Sequence, residues 1–138
     1  MLNYGLLVDK ESMFNTPNTF GIFALDRMLA WLERNGGVTE IQKQNQHKAS
    51  LIYNELDSSD FWVPHAHKNS RSLMNITWRI QDSSLEAKFV SEADQAGIKG
   101  VKGHRSVGGI RASIYNACPI ESVNALVDFM RDFLSKHG

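Results

Sequence analysis

The spacing of apolar residues changes period several times along the chain, and each change predicts an element. Residues 1–17 show no helical or strand period. They end at Pro17, which biases Thr16 toward an extended backbone, so a structured approach to a helix is expected there. Over 18–35, Phe20, Phe23, Leu25, Met28, Leu29, Trp31 and Leu32 predict a helix. Its apolar residues are too widely spread for one narrow stripe, which predicts contact with two partners or with one outside this chain. Gly36 and Gly37 are the stop, because glycine accepts the left-handed backbone that ends helices. A second helix follows over about 38–56, with Ile41, Ala49, Ile52 and Leu56 on one side and the polar run 42–48 read as a solvated face.

Residues 57–72 read as loop, broken by Pro64, with a short strand at 61–63. Met74, Ile76, Trp78 and Ile80 then alternate with Asn75, Thr77 and Arg79, the period-two signature of a strand buried on one face. Ser83 and Glu86 have the spacing of a capping box ahead of Leu85, Phe89, Ala93 and Ala96, with Gly97 as the stop of a third helix. Two extended pieces are predicted at 98–102 and 109–115, and Pro119 suits the first turn of a final helix carrying Ile120, Val123, Val127, Met130 and Leu134. Helix, helix, strand, helix, strand, strand, helix describes an α+β fold in which helices cover a small, mainly antiparallel sheet.

Composition narrows the function. The 138 residues are 42% hydrophobic and 22% charged, near the globular average. Fifteen basic and fifteen acidic residues cancel, so no bulk field favours nucleic acid or a membrane surface. The single cysteine, Cys118, forms no internal disulfide and reads as a small buried residue. No secretion signal and no run approaching the ~18 apolar residues of a membrane span is present, so a soluble, cytoplasmic protein is expected.

The chemistry is local. In the segment 102–111, His104, Arg105 and Arg111 stand among glycines that let the backbone bend and approach a ligand. Arginine donates two parallel hydrogen bonds to a carboxylate or phosphate, and a protonated imidazole adds another, so this grouping suits a small dianion or an amino acid's carboxylate. With Ile110, Ala112 and Ile114 on one face of a strand, Arg111 projects from the other. Ordinary surface arginines in weak ion pairs are the competing description. Asn15, Thr16, Pro17, Asn18 and Thr19 read first as a helix N-cap; the functional alternative is polar groups that hold a phosphate at a helix start, and spacing does not separate the two. His65 and His67 lack further ligands, so no metal site is expected, and Trp31, Trp62 and Trp78 read as packing.

Several motifs in one order add a resemblance. Ser12 to Phe20, Trp31-Leu32-Glu33, Arg71 to Asn75 and, above all, Gly100 to Ala117 closely resemble the C-terminal part of the phosphoserine aminotransferase family. The resemblance implies a homodimeric, pyridoxal-phosphate-dependent enzyme of fold type I that exchanges an amino group between glutamate and 3-phosphohydroxypyruvate, giving phosphoserine and 2-oxoglutarate, in serine biosynthesis and in many bacteria in pyridoxal phosphate biosynthesis. It implies that Asn15 and Thr16 reach the cofactor phosphate of the neighbouring subunit, that His104 and Arg105 hold the distal phosphate or carboxylate of the substrate, and that Arg111 grips its α-carboxylate. It also implies that residues 1–36 belong to or lead from a large domain and that 37–138 are the small domain. The Schiff-base lysine belongs to the large domain, so no lysine here, Lys102 included, takes that role. The chain by itself is therefore expected to be inactive and to hold pyridoxal phosphate weakly. Where the family usually has a second proline this chain has Asn18, expected to loosen the start of the helix. A reading from another class is a non-enzymatic α+β module that binds a phosphorylated or dicarboxylic metabolite through His104, Arg105 and Arg111.

Overall fold

The computed structural model describes residues 3–138. They divide into a first compact unit ending at Val38 and a second running from Thr39 to Gly138.

The first unit is helical. The stretch without a period contains a short helix, α1 (Tyr4–Asp9), started by the Asn3 side chain, which accepts from the Leu6 amide at 3.3 Å. Six residues are too few to show a helical period, so the apolar pattern does not reveal it. α2 (Thr19–Arg34) lies where the pattern placed a helix. Asn18 does not loosen it: its Oδ1 accepts from the Gly21 amide at 3.0 Å, the bond of a good N-cap, which a proline at that position cannot make. None of the α2 residues is buried.

The second unit begins within α3 (Gly37–Leu56), after Gly36 and Gly37 turn the chain at φ 90° and 72°. Three antiparallel strands follow, β1 (Trp62–Pro64), β2 (Asn75–Ile80) and β3 (Ile110–Ser113), in the spatial order β1-β2-β3. Between β2 and β3 comes α4 (Leu85–Gln95), and α5 (Ile120–His137) closes the chain. Register sets the faces: Trp62 pairs with Ile80, Trp78 with Ile110 and Ile76 with Ala112, so all six side chains share one side. Ala49, Ile52 and Leu56 of α3, Phe89 and Ala93 of α4, and Val123, Val127, Met130 and Phe133 of α5 cover that side. Phe89 lies at the centre, edge-on to Trp62, Trp78, Phe129 and Phe133 at centroid distances of 5.1–6.2 Å.

Several expectations are corrected. The 42–48 run is not simply a solvated face, because Asn45 and Lys48 are buried. The 98–102 piece is not a strand. Gly97 and Gly100 adopt φ 86° and 77°, which interrupts an extended path, and only Lys102 bridges to Ile110. The capping box does not form either. Ser84 precedes α4, its amide donating to Asp82 Oδ1 at 2.9 Å, while the Glu86 carboxylate turns to Arg79. Cys118 is half-buried rather than fully enclosed.

Candidate anion-binding site

The side of the sheet away from the core is polar. Arg79 of β2 lies opposite Val63, Arg111 of β3 opposite Thr77, and Ser113 opposite Asn75. Arg111 therefore projects as its alternation with buried Ile110 and Ala112 requires. Its guanidinium Nε is shielded from solvent and has no hydrogen-bond partner. Beside it, Ser113 Oγ donates to Asn75 Oδ1 at 2.9 Å and Asn75 Nδ2 donates to the Tyr115 hydroxyl at 3.2 Å.

His104 and Arg105 lie on the loop that leads into β3. The Gly103 amide donates to the Gly109 carbonyl at 2.9 Å, and the amides of Val107 and Gly108 donate to the His104 carbonyl at 2.9 and 2.7 Å. The closure demands glycine. A Cβ at Gly103 would lie 2.0 Å from the Gly108 carbonyl oxygen, and one at Gly109, at φ 70°, would lie 2.8 Å from that of Trp78. The Ser106 amide donates to His104 Nδ1 at 3.3 Å and the Ser106 hydroxyl sits 2.7 Å from the same nitrogen. A ring nitrogen that accepts from Ser106 leaves the proton of neutral imidazole on Nε2, the nitrogen free to donate to a ligand.

Thus His104 and Arg105 border one cavity, of about 520 Å³, together with Glu86, Val90 and Lys102. Arg111 is not part of it: the cavity of about 450 Å³ that touches Arg111 is lined by core-facing Ala112, Ile114, Val123 and Leu126, on the other side of the sheet from the one its side chain takes. The cluster that is continuous in sequence is two groups in space. Arg105 and Arg111 enter no ion pair among the described residues, whereas Arg71, Arg79 and Arg131 each pair with a carboxylate.

Asn15 and Thr16 belong to the first unit. Asn18, not either of them, caps α2, and Thr19 bonds to the Pro17 carbonyl. Among the described residues no hydrogen bond engages the Asn15 or Thr16 side chains, which are exposed. Their amide and hydroxyl are therefore free to donate to a phosphate. His65 and His67 are exposed, and among the described residues no three His, Cys, Asp or Glu side chains cluster as a metal site would need. No described helix is long and apolar enough to cross a membrane.

The aminotransferase class-V family model matches residues 1–126. The chain belongs to this family. Among curated class-V relatives, it is 54% identical to phosphoserine aminotransferase of Lysinibacillus sphaericus over 138 residues, 99% of this chain and 38% of that protein. It is 50% identical to phosphoserine aminotransferase of Desulfotalea psychrophila, again over 38% of the relative. Of solved class-V structures, phosphoserine aminotransferase from Bacillus circulans subsp. alkalophilus superposes with a TM-score of 0.89 at 48% identity, covering 98% of this chain and 38% of that one. The PLP-bound phosphoserine aminotransferase from Trichomonas vaginalis gives 0.81 at 38% identity, covering 93% and 37%. The chain thus spans about 38% of the length of the curated relatives it matches.

Three side chains of this class-V chain escaped the sequence reading. Arg79 and Glu86 contact or border the His104–Arg105 loop. Lys48 donates to the carbonyls of Ile114, Tyr115, Asn116 and Cys118 at 2.8–3.5 Å, fixing the turn that leaves β3. A signal existed for Lys48, since 41, 45, 48, 52 and 56 fall on one helical stripe.

Proposed function

We propose that this chain is the small-domain portion, with the preceding cofactor-phosphate segment, of a phosphoserine aminotransferase, a cytoplasmic homodimer that passes an amino group between L-glutamate and 3-phosphohydroxypyruvate. The observation that carries the reading is that Arg105 and Arg111 are the two arginines of the second unit that enter no ion pair among the described residues. Arg105 with His104 at the loop cavity, and separately Arg111 on the polar side of the sheet, supply donors within one unit, which is what a substrate with an anionic group at each end needs. The whole-chain identity of 50–54% to proteins named for that activity supports it.

In this reading Arg111 holds the α-carboxylate, the one anionic group common to glutamate and phosphoserine. His104 and Arg105 hold the distal group, a γ-carboxylate in one substrate and a phosphate in the other. A bidentate arginine beside a donating imidazole accepts both, because each presents paired oxygens. The residues present fit pyridoxal phosphate at its phosphate end: the unengaged side chains of Asn15 and Thr16 would bind there as donors. When bound, that group supplies the electron sink that amino-group transfer requires. The covalent anchor does not come from Lys48, whose ammonium is committed to four carbonyls, and no other described lysine is buried. Domain limits at 1–36 and 37–138 accompany this proposal.

The test is a coupled assay with glutamate and 3-phosphohydroxypyruvate on two proteins. The 138 residues alone should show no turnover and only weak absorbance change with pyridoxal phosphate. The Lysinibacillus sphaericus enzyme carrying this chain in place of its matching segment should turn over, and its Arg111→Ala variant should lose roughly a hundredfold or more in kcat/KM. Turnover by the chain alone, or a folded chimera without transamination, would overturn the proposal.

A further inference from the structure

We propose that Arg79 is a positioning residue that holds the His104–Arg105 loop in its anion-binding shape through the carbonyl of Val107. The proposal rests on the assignment of that loop to the substrate's distal anion, and it adds a residue from a different element.

Arg79 stands near the end of β2 on the polar side of the sheet, opposite Val63. Its Nη2 donates to the Val107 carbonyl, and its Nη1 lies 3.4 Å from Glu86 Oε1 of α4. The loop's own bonds run from Gly103 to Gly109 and from Val107 and Gly108 to His104, all within the loop. They close it upon itself without tying its tip to the sheet. Arg79 makes that tie. The loop also packs on the arginine: a Cβ at Gly109 would lie 3.2 Å from Arg79 Cγ, and one at Gly108 3.3 Å from Nη2. The glycines in Val107-Gly108-Gly109 thus admit the guanidinium as well as the turn.

Charge points the same way. Glu86 borders the cavity that His104 and Arg105 border, and a free carboxylate there would repel an incoming anion. Arg79 pairs with it. The guanidinium fork spans the two tasks, a carbonyl on one arm and a carboxylate on the other, which a lysine ammonium on a flexible stem does not reproduce. A half-exposed ion pair at 3.4 Å contributes little alone, so the hydrogen bond to Val107 is the principal term.

The experiment titrates the full 138-residue chain with inorganic phosphate, following amide NMR shifts over 103–109, and measures amide hydrogen exchange in the free protein. In Arg79→Gln, phosphate should bind about tenfold more weakly, and the Gly103, Val107 and Gly108 amides should exchange about tenfold faster. The β2–β3 amides should stay within about twofold of the original protein. Arg79→Lys keeps the charge but loses the fork, and should remain about threefold or more weaker in binding with loop exchange still raised. Should Arg79→Gln fail to fold, Arg79→Lys carries the test. An Arg79→Lys protein that matches the original in both readouts would reduce the role to charge and overturn the proposal. So would unchanged binding in Arg79→Gln while Arg105→Ala abolishes it, a result that leaves the loop's assignment standing. If Arg105→Ala and His104→Ala both leave phosphate binding unchanged, the loop is not the anion site, and the assignment and the proposal fall together.

Discussion

Lys48 is only 4% exposed, and its ammonium reaches four backbone carbonyls of 114–118 while Asn45, one turn earlier, bonds to Asn116 at 2.8 Å. This pair explains how a polar run sits on a buried stripe: the Lys48 ammonium meets carbonyls of the turn after β3, and Asn45 Nδ2 meets the side-chain oxygen of Asn116, although Asn45 Oδ1 is buried without a partner. Lys48→Met keeps the stem but orphans those carbonyls, and is expected to lower stability by roughly 2–3 kcal/mol in urea denaturation. Burial pushes the Lys48 ammonium below its ordinary range, the main cause being desolvation. Below 10.5 the unfolded chain therefore binds this proton more readily than the folded one, so this group's contribution to stability rises with pH toward 10.5 and levels off above it. Denaturation between pH 8 and 10.5 should show that slope in the original protein and not in Lys48→Met. The same slope in both would contradict it.

Elements are fastened to one another by a few polar contacts at their ends. Asp57, one residue past α3, takes both arms of the Arg71 guanidinium at 2.8 and 2.6 Å, and Arg71 stacks on the Tyr53 ring of α3 at 4.5 Å. Tyr53 donates its hydroxyl to the Ser72 carbonyl at 2.9 Å, while the Ser72 Oγ accepts from the amides of Met74 and Asn75 at 3.1 Å. The Arg71 to Asn75 motif thus ties the start of β2 to the end of α3, which the alternation along β2 alone did not disclose. The Arg71 hydrogen bonds hold the Asp57 carboxyl below the usual carboxylate range. The folded-state pKa is depressed, so this stability is present above the ordinary aspartate value near 3.8 and is lost as pH falls through the folded value. Asp57→Asn should remove that acid-sensitive part of the stability curve, as read by circular dichroism melts between pH 5 and 2. An unchanged acid limb would contradict the assignment. The strand expected at 98–102 illustrates the opposite case: two left-handed glycines, Gly97 and Gly100, decide the backbone there.

At the scale of the molecule, the first unit keeps a large apolar surface in solvent. Phe20 is 79% exposed, and Ile22, Phe23, Leu25, Met28 and Leu29 are exposed with it. The breadth of this surface was legible from the spread of apolar positions along 18–35. An uncovered surface of that kind favours self-association in water. Static light scattering on the isolated chain should show mass rising with concentration, and a constant monomer mass would contradict this. The sequence by itself determined the α2 to α5 helices, the buried face of β2 and β3, the donor types of His104, Arg105 and Arg111 on which the proposed anion site rests, and the family. Each of these depends on local periodicity, turn chemistry or residue type. Only the tertiary structure decided that Asn18 caps α2 and leaves Asn15 and Thr16 free, that Arg111 lies outside the cavity that His104 and Arg105 border, and that Lys48 and Arg79 bond to the turn and the loop beside them. Those outcomes turn on which buried donor meets which carbonyl across elements 28 to 70 residues apart in the chain, and no local pattern encodes such pairings.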